Sequence, residues 1–69
     1  MIVFSTFLEV NGKQTLYSVY KNGKLAFFNP ARVEKAPILF ATLSESSWQI
    51  KGTNDFNLVE QVIREIGEV

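Results

Sequence analysis

The sequence predicts an α+β fold: a five-stranded antiparallel β-meander followed by one C-terminal amphipathic α-helix packed on one face of the sheet. Three observations predict it. Two Asn-Gly pairs, Asn11-Gly12 and Asn22-Gly23, lie between stretches rich in Val, Thr, Tyr and Phe. Two further short segments, 38–43 and 47–51, carry the apolar patterns of strands. Beyond them the apolar residues switch to helical spacing.

Asn-Gly supplies the two positive φ angles of a type I′ turn, so each pair reads as a two-residue hairpin loop. The first strand then runs over about 2–10, the second over 13–20 and the third over 24–28. The segment Asn29-Pro30-Ala31-Arg32-Val33-Glu34-Lys35-Ala36-Pro37 interrupts the meander. It reads either as a plain loop or as a short helical turn capped by Asn29, with Pro30 at its first position and Pro37 restricting Ala36. The run Ile38 to Leu43 reads as a buried strand. Ser44-Glu45-Ser46 is turn-like. Over Ser47 to Lys51 the pattern alternates, with Trp48 and Ile50 on one side, which is a half-buried strand. Phe56, Val59, Val62, Ile63 and Ile66 form one apolar stripe of a helix over about 55–66, with Asn57, Glu60, Gln61 and Arg64 on the other side. Asn54 or Asp55 is the expected N-cap, unless Asn57 to Glu60 forms a capping box; Gly67 is the expected stop.

The 69 residues make one domain, with the meander over 2–51 and the helix after it. So short a chain buries only about 60% of its extended surface. Folds below roughly 70–80 residues often add a disulfide, a metal or a partner. Cys and His are both absent, which removes disulfides, thiolate sites and the commonest general base. An apolar fraction of 46% argues against disorder and leaves a partner as the expected supplement.

A two-residue turn fixes register, so the two faces of the sheet can be read. Across the first turn Val10 should oppose Lys13, Leu8 Thr15, Thr6 Tyr17 and Phe4 Val19. Across the second, Val19 should oppose Ala26, Tyr17 should oppose Phe28, and Lys21 should stand opposite Lys24. One face then collects Phe4, Leu8, Val10, Tyr17, Val19, Ala26 and Phe28. The other collects Val3, Phe7, Leu16, Tyr20, Leu25 and Phe27, with Glu9, Ser5, Gln14 and Ser18 among them. A sheet with one wet face should alternate apolar and polar residues. This one is apolar on both faces, and a single helix covers only one. The second face, Val3, Phe7, Leu16, Tyr20, Leu25 and Phe27, is therefore the expected interface of a homodimer.

The chemistry of an enzyme is not legible. The acids Glu9, Glu34, Glu45 and Asp55 fall in separate segments, and the hydroxyls have no His to activate them. The glycines occupy turn and cap positions rather than a phosphate loop. No catalytic residue, metal ligand or cofactor is expected. Net charge is zero, but Lys13, Lys21, Lys24, Arg32 and Lys35 lie in the middle of the chain and most acids toward its end. The alternative function is therefore single-stranded nucleic-acid binding, with Phe7, Tyr20 and Phe27 as stacking residues and Lys13, Lys21, Lys24 and Arg32 as the basic track.

The order of antiparallel strands followed by a helix resembles the single-strand-binding Whirly, Pur-repeat and positive-cofactor families, which dimerise through such units. The resemblance covers topology and none of their motif residues, so it carries over no functional residue. The first residues lack the positive segment and cleavage site of a signal peptide, and no run approaches the ~20 apolar residues of a membrane span. The expectation is a cytoplasmic, non-enzymatic adaptor or inhibitor.

Overall fold

The computed structural model describes residues 1–33 and 35–67. Five antiparallel strands form one open sheet in sequence order: β1 (Ile2–Val10), β2 (Lys13–Asn22), β3 (Leu25–Pro30), β4 (Leu39–Ser44) and β5 (Ser47–Lys51). The helix α1 (Phe56–Gly67) follows and packs on the sheet, touching both edge strands, β1 and β5. The predicted α+β fold is the observed one.

Three turns set the register. Asn11 and Gly12 have φ of 53° and 79°, the sign pattern of a type I′ turn, and β1 pairs with β2 as the sequence predicts, Val10 with Lys13 through Phe4 with Val19. The second turn corrects the sequence reading. Asn22 ends β2 and pairs with Leu25, so the loop is Gly23-Lys24, with the positive φ on Gly23 alone. That is the type II′ pattern, glycine first. Val19 now opposes Phe28, Tyr17 opposes Pro30, and Lys21 opposes Ala26 rather than Lys24. The slip avoids two lysines side by side and sends Lys24 to the exposed loop. Partners move by two positions, so the pleat keeps its phase and both faces retain their predicted members.

The third turn, Glu45-Ser46, joins β4 to β5 with φ of 52° and 69° at two residues that carry a Cβ. Each left-handed non-glycine residue costs about 1 kcal/mol or more. Ser46→Gly should stabilise the fold by about 1 kcal/mol, or roughly 4–8 °C in a domain of this size, read by thermal denaturation. An unchanged midpoint would mean that this turn stores no such strain.

One side of the sheet and the helix form the core. Leu8, Val10, Tyr17, Val19, Ala26, Phe28, Leu39 and Ala41 are buried against Leu58, Val62 and Ile66, with Phe4, Ala36, Trp48 and Ile50 packed around them. Tyr17 and Phe28 meet edge to face at 6.3 Å, a diagonal contact across β2 and β3. The Tyr17 hydroxyl donates to the Pro37 carbonyl at 2.7 Å and ties the β3–β4 connection to the core. Over its described residues that connection is turn and coil, so the loop reading holds and the helical-turn reading does not.

The helix starts as one of the predicted options. The Asp55 carboxylate accepts from the Asn57 N–H at 3.0 Å, and Val59 N–H makes the first intrahelical bond to Asp55 C=O. Asp55 is the N-cap, and the capping box is not used. Gly67 is the last described residue of the helix and has no left-handed φ, so it is not itself the expected C′ residue. The buried stripe also differs from the predicted one. It is Leu58, Val62 and Ile66, while Phe56 and Ile63 are exposed and Val59 is half-buried. Gln61, expected on the outer side, turns to the sheet: its side-chain carbonyl accepts from Glu9 N–H at 2.7 Å and its amide donates to Glu9 C=O at 2.9 Å. Beside it the Thr6 hydroxyl donates to Glu65. These polar contacts with β1 set the helix's rotation about its own axis.

Candidate functional site

The helix covers the face that carries Phe4, Leu8 and Tyr17. The opposite face is open. All six residues expected there lie on it and are exposed: Val3, Phe7, Leu16, Tyr20, Leu25 and Phe27. The pairing arranges them in rows across the strands. Val3, Tyr20, Phe27 and Phe40 stand side by side on β1 to β4, and Lys51 on β5 ends that row. Phe7 and Leu16 form a second apolar row. Between the two run Ser5, Ser18 and Asn29, a row of small polar residues. Two apolar ridges therefore flank a shallow polar trough.

Phe40 belongs to this face, and the sequence reading missed it by treating 38–43 as wholly buried. Its ring lies 4.8 Å from that of Phe27, tilted by 51°. Such a pair contributes about 0.5–1.5 kcal/mol beyond its buried area and stiffens the centre of the long row. The signal was present only as an alternation between buried Leu39 and Ala41 and half-buried Phe40 and Thr42. A run of apolar residues hides that period.

The predicted basic track is not assembled with these aromatics. By register Lys13 and Lys21 belong to the helix side of β2, opposite the face of Phe7, Tyr20 and Phe27. The Lys21 ammonium lies 5.9 Å from the centre of the Trp48 ring, a cation–π distance, on the flank of the core. Lys24 is at the tip of the second turn, and Arg32 in the turn after β3. The cation that shares a row with the aromatics is Lys51. On this face, among the described residues, the rings of Phe7, Tyr20 and Phe27 are therefore not interleaved with the four cations of the expected track.

A cleft of about 370 Å³ lies at the far end of the first hairpin, lined by Val10, Asn11, Lys13, Thr15, Val33 and Lys35. Its described lining holds no His or Cys and no carboxylate. Among the described residues no three His, Cys, Asp or Glu side chains converge. Nor, among the described residues, is any helix long and apolar enough to cross a membrane. No protein-family model, curated protein or solved structure matches the chain. Fold and surface thus define a class by themselves: a helix-backed antiparallel sheet with one open apolar face.

Proposed function

We propose that the protein is a small non-enzymatic protein-interaction module of the cytoplasm, homodimeric through the open sheet face and acting as an adaptor or inhibitor. The observation that carries this reading is the exposed pair of apolar rows on a sheet whose other face is already filled by the helix. A standard interface takes about 800 Å² from each partner. That is roughly a sixth of the chain's 4733 Å² of accessible surface. Ridges and trough suit a two-fold contact, because the ridge of one copy fits the trough of another. The aromatic residues are of the kind that anchor interfaces, and the serine row leaves the space between them.

The test is the mass of the chain in solution for wild type and Phe27→Asp, by light scattering over a concentration series. The expected result is association weakened at least ten-fold in the variant, with the helical circular dichroism unchanged. A charge at the centre of the long row must be desolvated if that row is covered. Equal masses for the two chains would sink the reading. So would a variant that unfolds, since Phe27 would then belong to the core.

A further inference from the structure

We propose that β1 is a second, backbone-mediated contact at which two copies pair antiparallel about Ser5, joining their sheets into one of ten strands. This goes beyond the open face, since it uses main-chain groups at the sheet's edge and holds whatever covers the face.

The argument begins with the direction of the peptide groups. In a two-residue hairpin the closing pair exchanges hydrogen bonds, here Val10 and Lys13. The even-numbered residues of β1 therefore bond to β2. The odd-numbered ones direct N–H and C=O away from the sheet, because β1 is an edge strand. At Glu9 both outward groups are taken by the Gln61 side-chain amide, which imitates a neighbouring strand. Val3, Ser5 and Phe7 have no such cover among the described residues. Proteins blunt exposed edges with charge, proline, bulges or an overlying element. From Ile2 to Leu8 this strand carries no charge and no proline, and its pairing with β2 runs without a bulge.

Two features select a second copy, and one register, as the occupant. Three uncovered residues spaced two apart are self-complementary under a two-fold axis at Ser5: Val3 meets the second copy's Phe7, Ser5 meets its own counterpart, and Phe7 meets Val3. An axis at Thr6 or Phe7 would call on Glu9, which Gln61 already occupies. The side chains agree with the backbone. The axis at Ser5 runs the long apolar row of one copy, ending at Val3, into the Phe7–Leu16 row of the next, and sets serine row against serine row. A shift by one step places Val3 or Phe7 beside serine and breaks both apolar rows. Strand addition of this kind draws affinity from main-chain bonds and register from alternate side chains.

The test combines amide hydrogen exchange with the masses of two variants. In Ser5→Pro the lost N–H is one that points outward, so pairing with β2 is retained while the two central bonds of the seam, one from each copy, are removed. Ser5→Asp keeps every backbone bond and sets two like charges against each other at the axis. The expected result is a wild type whose Val3, Ser5 and Phe7 amides are protected when concentrated and exchange at least ten-fold faster on dilution. The Glu9 amide should stay protected throughout. Either variant should lose the amide protection while Phe27→Asp keeps it; that protection, rather than mass alone, separates the edge from the open face, on which the Ser5 side chain also lies. Rapid exchange at those three amides in the concentrated wild type overturns the proposal, as does a monomer at every concentration. If Ser5→Pro fails to fold, Ser5→Asp decides: an unchanged mass with unchanged protection also overturns it.

Discussion

Phe28→Ala should cost about 3–5 kcal/mol, and Phe27→Ala only about 1–2 kcal/mol, although the residues are adjacent in one strand. Phe28 is fully buried, in edge contact with Tyr17 and beneath the helix, and its removal leaves a cavity that the rigid sheet cannot close. Phe27 is 47% exposed, with Phe40 as its ring partner. A domain of this length has a total stability of only about 3–10 kcal/mol. The first substitution therefore removes a large share of it, and the second a clearly smaller one. Urea denaturation followed by circular dichroism, at dilution where association contributes nothing, reads both. Equal costs at the two positions would contradict the division of the sheet into a filled and an open face.

Gly52→Ala should be comparably severe for a different reason. Gly52 ends β5 with φ of 110°, a conformation that an L side chain rarely adopts. A Cβ there would lie 2.3 Å from the Ile38 carbonyl oxygen and 3.3 Å from the Leu39 Cα. Both are backbone atoms, so no rotamer change relieves the contact. Left-handed strain and the forced separation of β4 from β5 each cost about 1–3 kcal/mol, or about 2–6 kcal/mol together. Gly67→Ala is the control: open space surrounds that position and its φ is not positive, so alanine there should be neutral or slightly stabilising. Thermal midpoints compare the two. A Gly52→Ala protein as stable as wild type would mean that the approach of Ile38 to β5 is looser than described.

Much of this architecture was legible because strand side chains repeat every two residues. The second turn sits one residue later than the sequence suggests and moves every cross-strand partner by two positions, yet every residue assigned to the open face is found there. A slip by an odd number would have reversed the third strand. The rotation of the helix was less legible. Phe56, Leu58, Val59, Val62, Ile63 and Ile66 are apolar and fill a little under half of its circumference, a sector wider than the Leu58, Val62 and Ile66 stripe that the sheet buries, so periodicity alone does not place the contact line within it. The sector is chosen by Gln61 and Glu65 reaching β1, a long-range contact that no local pattern reveals. Phe40 was missed for a related reason. The connection from β3 to β4 fixes no register, so its face could not be assigned by counting from a turn. Lys21 shows the same limit for charge: its placement depended on which face of β2 the helix would cover.

The Gln61 clasp on Glu9 also makes the helix a ruler for the sheet's edge. Where that side chain grips, the outward N–H and C=O are bonded as in an interior strand; beyond it, at Val3, Ser5 and Phe7, they are the groups that the proposed seam pairs. The reach of the seam is thus written in a residue some fifty positions away in sequence, and its length is inseparable from the seating of the helix. Loss of the helix would uncover the core and lengthen the sticky margin in one event. On the proposed pairing, helix docking thus limits the length of the seam as well as covering the core.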